Sequence, residues 1–178
     1  MKILNILYTL LFSVALSIVI ALFGDKKVSA DTMEVEKGAS VISAIESTQL
    51  NRVEILYKFF KKLNSPLAEN SRTFVDVADK YGLDYRLLPA IGCLESACGL
   101  RMPYQSFNAW GWGVYGNNVI RFSDFNDGIE KVAKGLYEGY VLKGADTPEK
   151  IARKYNPPTH QSWLGKVKFY MAEIDKEV

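Results

Sequence analysis

Apolar positions recur at helical spacing along most of this chain. Val53, Leu56, Phe60 and Leu63 fall at i, i+3, i+7 and i+10 with Lys58, Lys61 and Lys62 between them, which predicts an amphipathic helix. Ser65-Pro66 reads as an N-cap and a first-turn proline, opening a helix through Phe74, Val77, Ala78 and Tyr81. Gly82 closes that helix and Leu83 supplies the apolar contact beyond it. Asp84 caps a third helix through Leu87, Ile91 and Leu94, in which Pro89 predicts an irregular or kinked first turn. Ser123 caps a fourth, with Ile129, Val132, Ala133, Leu136 and Tyr140 on one face. Thr147-Pro148-Glu149 starts a short helix through Ile151 and Tyr155, stopped by Asn156-Pro157-Pro158. A last helix carries Trp163, Val167, Tyr170, Met171 and Ile174.

The rhythm breaks between positions 99 and 122, at Gly99, Pro103, Gly111, Gly113 and Gly116. Val114 to Ile120 reads as a small β-hairpin turning at Gly116-Asn117-Asn118. The pattern as a whole is that of a mainly α domain with one small hairpin and no internal repeat. A length of 178 residues suits one such domain.

The two ends of the pattern differ. Ile3 to Phe23 is apolar apart from Asn5, Thr9, Ser13 and Ser17, and Val28-Ser29-Ala30 resembles a signal-peptidase site. Residues 1–30 therefore read as a hydrophobic signal peptide or an uncleaved membrane anchor helix, and both place the protein outside the cytoplasm, secreted or membrane-anchored. Residues 31–48 are polar and read as a linker with one weak helical turn, leaving 49–178 as the folded domain. Of the 22 basic and 20 acidic residues, Lys2, Lys26, Lys27 and Asp25 belong to the leader, so 19 of each remain. A neutral domain without a Lys/Arg block gives no reason to expect a nucleic-acid partner. With His160 as the lone histidine and no Cys/His cluster, neither a metal nor another cofactor is expected. Cys93 and Cys98 are compatible either with a disulfide, if the helix ends near Ser96, or with two small core residues.

Chemistry concentrates around Glu95. Ile91 and Leu88 lie four and seven residues before it on the same helical face, so this Glu continues an apolar stripe in the last turn before a glycine. Burial and the negative end of a helix both favour the neutral, proton-donating form of a carboxyl group. That form protonates the leaving oxygen in glycoside cleavage. Downstream, Phe107-Asn108-Ala109-Trp110-Gly111-Trp112-Gly113 places two indoles on one side of a segment read as extended, with small residues that let a ligand approach the backbone. Indole faces suit the C–H faces of sugar rings, although two core aromatics would read the same way. Asp124, Asp127 and Glu130, the nearest candidates for a second carboxylate, are equally explained as first-turn acids of a helix.

Ala-Ile-x-x-x-Glu-Ser-x-x-Gly, followed by Asn-Ala-Trp-Gly-Trp-Gly and a helix opened by Phe-Ser-Asp-Phe, resembles the lysozyme-like superfamily. The branch it is most similar to is the mannosyl-glycoprotein endo-β-N-acetylglucosaminidase-like (glucosaminidase) domain, related to soluble lytic transglycosylases. The resemblance covers roughly Ser65 to Ile174. It implies a lysozyme-like helical fold in which Glu95 is the general acid/base and Ser96 lines the adjoining sugar subsite. It further implies that Asn108, Trp110 and Trp112 form a cleft wall, and that Tyr155-Asn156 places a tyrosine hydroxyl near the catalytic carboxyl. The implied protein is a monomeric glycosidase cutting β-1,4 bonds of peptidoglycan strands, by hydrolysis or by transglycosylation. A non-catalytic peptidoglycan-binding module tethered at the cell surface is the alternative. A membrane-anchored structural protein, with the Trp-Gly segment buried, is a third.

Overall fold

The computed structural model describes residues 27–113, 118–155 and 159–178. They form six α-helices: α1 Lys27–Lys62, α2 Ser71–Tyr81, α3 Leu87–Ser96, α4 Phe125–Gly139, α5 Pro148–Tyr155 and α6 His160–Asp175. The fold is mainly helical, and no strand forms among the described residues. The expected hairpin centres on 114–117 and the apolar run on 3–23, both outside the described residues. No described helix is long and apolar enough to cross a membrane.

Helix α1 replaces the weak turn expected for residues 31–48. Its residues 33–47 are exposed, yet the helix runs unbroken from Lys27. The reason is cooperative. Once a helix is nucleated, each added residue contributes a hydrogen bond for one residue fixed, and only Gly38 here is a poor helix former.

Thr48 to Val178 makes one compact unit. Leu56 and Phe60 of α1, Phe74 and Val75 of α2, and Leu87 and Ile91 of α3 are buried, together with Ile129 and Leu136 of α4, Ile151 of α5 and Ile174 of α6. Leu63, expected on the α1 stripe, is exposed past the helix end. The helices pair as α2 on α4, α3 on α6 and α5 on α6. The last two pairings set the site, because they bring the end of α3 against the start of α6.

Local chemistry explains most boundaries. Gly82 takes the left-handed conformation at φ 62°, and the Leu83 N–H donates to Ala78 O at 2.9 Å, closing α2 as its sequence implies. Ser65 does not open α2. Its hydroxyl donates to Cys98 O at 2.6 Å and accepts from the Leu67 N–H, a turn followed by a 3-10 segment before the helix begins at Ser71. Pro89 is the third residue of α3, where a backbone N–H has no intrahelical acceptor, so the helix accommodates it. Asp124, not Ser123, is the N-cap of α4: its carboxylate accepts from the Asp127 N–H at 2.8 Å.

Candidate functional site

Glu95 is the penultimate residue of α3, and it is exposed, not buried. The stripe of Leu88 and Ile91 faces the core, but the chain turns sharply just beyond Glu95 and leaves its side chain at the surface. Ala97, Cys98 and Gly99 all have positive φ, at 51°, 59° and 81°. A left-handed non-glycine residue is disfavoured by roughly 1–2 kcal/mol, so this turn must be held by its surroundings. Cys93 and Cys98 form a disulfide that closes the segment containing Glu95. Ser96 holds it from inside: its buried hydroxyl donates to Gly92 O at 2.9 Å and accepts from the Gly99 N–H at 2.8 Å. Ser96 therefore caps the helix, where the resemblance implied a sugar subsite.

A cavity of about 230 Å³ opens beside the carboxylate, lined by Leu94, Glu95, Thr159, Ser162, Trp163 and Lys166. Thr159, Ser162 or Trp163, and Lys166 are three or four residues apart, so one face of α6 supplies most of the wall. The Trp163 indole N–H donates to Glu95 Oε1 at 3.1 Å. The Trp163 ring is itself buried and lies 5.0 Å from the Tyr155 ring, which is 6.1 Å from Tyr140. Tyr155, expected beside Glu95, backs the indole that reaches it. Asn156 lies outside the described residues. Lys166 is exposed and has no ion-pair partner among the described residues. Trp163 and Lys166 carried no site signal in the sequence. Trp163 reads there as one more apolar position of the last helix.

The Trp-Gly segment does not present its two indoles on one side. Gly111 and Gly113 both take left-handed conformations, φ 60° and 63°, so the backbone turns between the indoles where an extended strand was expected. Trp110 points into the core at 1 % exposure, with its N–H donating to Leu88 O at 3.0 Å. Trp112 is half-buried against α4 at Gly135. Buried Asn108 ties the loop together. Its Nδ2 donates to Trp112 O and Ile120 O, and its Oδ1 accepts from the Trp112 N–H, all within 3.0 Å. A side-chain amide here satisfies backbone groups that no sheet or helix can. Asn108 and Trp110 are thus internal supports, with no surface left to offer a sugar.

The glycines of α4 make room for these rings, and this can be tested. A Cβ on Gly128 would lie 2.9 Å from Phe122 and Trp110 side-chain atoms and 3.0 Å from Phe107 O. A helical Gly→Ala change ordinarily stabilises by about 0.5–1 kcal/mol. Gly128→Ala is expected to destabilise by about 1–3 kcal/mol through overpacking. Gly139→Ala, where a Cβ meets nothing within 4 Å, is the control and keeps or raises the urea midpoint. Equal midpoints for the two variants would contradict the packing described.

The three candidate second carboxylates have structural duties. Asp124 caps α4. A hydrogen bond from Lys131, with another from the Ser123 N–H, holds Asp127 below the usual carboxylate range. Hydrogen bonds from Lys80 and from the Tyr81 hydroxyl do the same for Glu130. None of the three lines the cavity, whose sole acid is Glu95 among the described residues. No metal-holding group of three or more His, Cys, Asp or Glu side chains occurs among the described residues either. No protein-family model matches the chain, and no curated protein matches it significantly.

Proposed function

We propose that this domain is a lysozyme-like, extracytoplasmic glycosidase of peptidoglycan, with Glu95 as its general acid/base. One observation carries the reading: an exposed carboxylate at the end of α3 opens onto a cavity, and an indole N–H holds one of its two oxygens. The other oxygen is left to exchange a proton with a ligand. Hydroxyls of Thr159 and Ser162 and the ammonium of Lys166 line the same space, a mixture suited to a polar, N-acetylated sugar. The sequence resemblance supplies the substrate class, and the apolar run at 3–23 supplies export, by a signal peptide or a retained anchor.

With one acid at the cavity, Glu95 protonates the leaving glycosidic oxygen as the bond to C1 breaks. The substrate's own N-acetyl oxygen assists at C1. Water or an intramolecular hydroxyl then completes the reaction and returns a proton to the Glu95 carboxylate. The lack of a second acid in the cavity among the described residues is the observation that favours the other reading, a binding module without turnover. Digestion of purified peptidoglycan followed by mass analysis of the products tests both. Soluble muropeptides with reducing or anhydro ends support the glycosidase. Pelleting with the wall and no soluble product supports the module.

A further inference from the structure

Glu95 sits on an exposed helix end, and a free glutamate there samples several rotamers. An acid that must meet a single glycosidic oxygen needs one of them held. The group that bonds it is Trp163, whose own setting is well defined. The ring is 6 % exposed, stacked at 30° on Tyr155 with centroids 5.0 Å apart, on a helix that packs directly against α3. Its N–H is therefore aimed from a fixed base. We propose that Trp163 is the positioning residue of Glu95, with Tyr155 as the support that fixes the indole. The inference rests on the reading of Glu95 as the acid/base.

The chemistry of the donor favours this role over a catalytic one. An indole N–H only donates, and it neither gives up nor takes a proton in the range where carboxyl groups titrate. It can hold Oε1 through both halves of an acid/base cycle without competing for the proton. An ammonium or guanidinium in its place would add a full charge to the carboxylate, and a tyrosine hydroxyl would bring a second exchangeable proton. Against this stands a bland account, in which a buried indole has merely found the closest acceptor for its N–H.

Trp163→Phe separates the two, since it keeps an aromatic ring against Tyr155 and deletes the donor, while the part of the buried indole lost with it is read separately in the unfolding midpoint. Positioning predicts a fall in kcat of about ten- to a hundred-fold on glycan strands, the range for losing a hydrogen bond to a charged group, with KM changed less than about two-fold. A variant with unchanged kcat, and the same unfolding midpoint as wild type, overturns the inference. The second arm needs neither activity nor that variant. The Trp163 indole proton and nitrogen resonances of the full domain, followed with pH, are expected to move in a single carboxyl transition that disappears in Glu95→Gln. Persistence of that transition in Glu95→Gln also overturns the inference. If the wild-type domain cuts nothing, the glycosidase reading falls and the positioning role falls with it, whereas a domain that cuts equally well as Trp163→Phe overturns the positioning role alone.

Discussion

On the proposed function, Glu95→Gln is expected to give a folded protein that still binds glycan strands and no longer cuts them. The substitution is nearly isosteric, and the amide oxygen can still accept from the Trp163 N–H, so the local geometry has reason to persist. Glu95 is exposed and makes no ion pair among the described residues, which puts the change in stability within about 0.5 kcal/mol. What is lost is the exchangeable proton. General acid/base catalysis by one positioned side chain contributes typically about 10²–10⁴-fold, and release of soluble muropeptides should drop by that factor. Co-sedimentation with purified wall should not change. Undiminished release would remove Glu95 from the mechanism. A collapse of the thermal transition would mean that the residue is structural.

The second large effect concerns stability. Trp110→Ala is expected to cost about 3–5 kcal/mol, the range for deleting a large aromatic from a core. Three contacts are lost together. The indole bonds Leu88 O on α3, packs edge-on with Phe74 of α2 at a ring-centroid separation of 6.2 Å, and its flank fills the gap left by Gly128 on α4. The melting temperature should fall by roughly 10–20 °C for a unit of this size. Trp110→Phe should recover most of it and lose about 1 kcal/mol for the hydrogen bond. A cleft-wall tryptophan would behave oppositely: Trp110→Ala would weaken glycan binding and leave the melting temperature in place. The calorimetric and binding measurements on this one variant thus decide between the two placements.

These two residues also mark how far the sequence could be read. Helices α2 to α6 follow from spacing, and the end of α2 from its cap, which are local rules: Gly82 ends α2 because only a left-handed residue lets the Leu83 N–H reach back to Ala78. The position of Glu95 at a helix end is equally local. Its burial was not, because periodicity identifies a face and says nothing of where a helix stops being covered. The same limit applies to the Trp-Gly segment. A Trp-Gly-Trp spacing implies two indoles on one side only if the backbone is extended, and the left-handed Gly111 removes that condition. Residues 31–48 went the other way. Their polarity hid a helix that cooperativity extends from the packed end.

By itself, then, the sequence determined a mainly helical domain with a carboxylate at the end of α3 and a tight glycine-containing turn behind it, since hydrogen bonds within a few residues govern both. Only the tertiary structure decided the company that carboxylate keeps. Trp163 is 68 residues away, and it reaches Glu95 because α6 packs on α3. The structure likewise sent Trp110 inward, through room that Gly128 leaves on a different helix. Contacts of that separation depend on which helix faces meet, and no spacing within either helix records it.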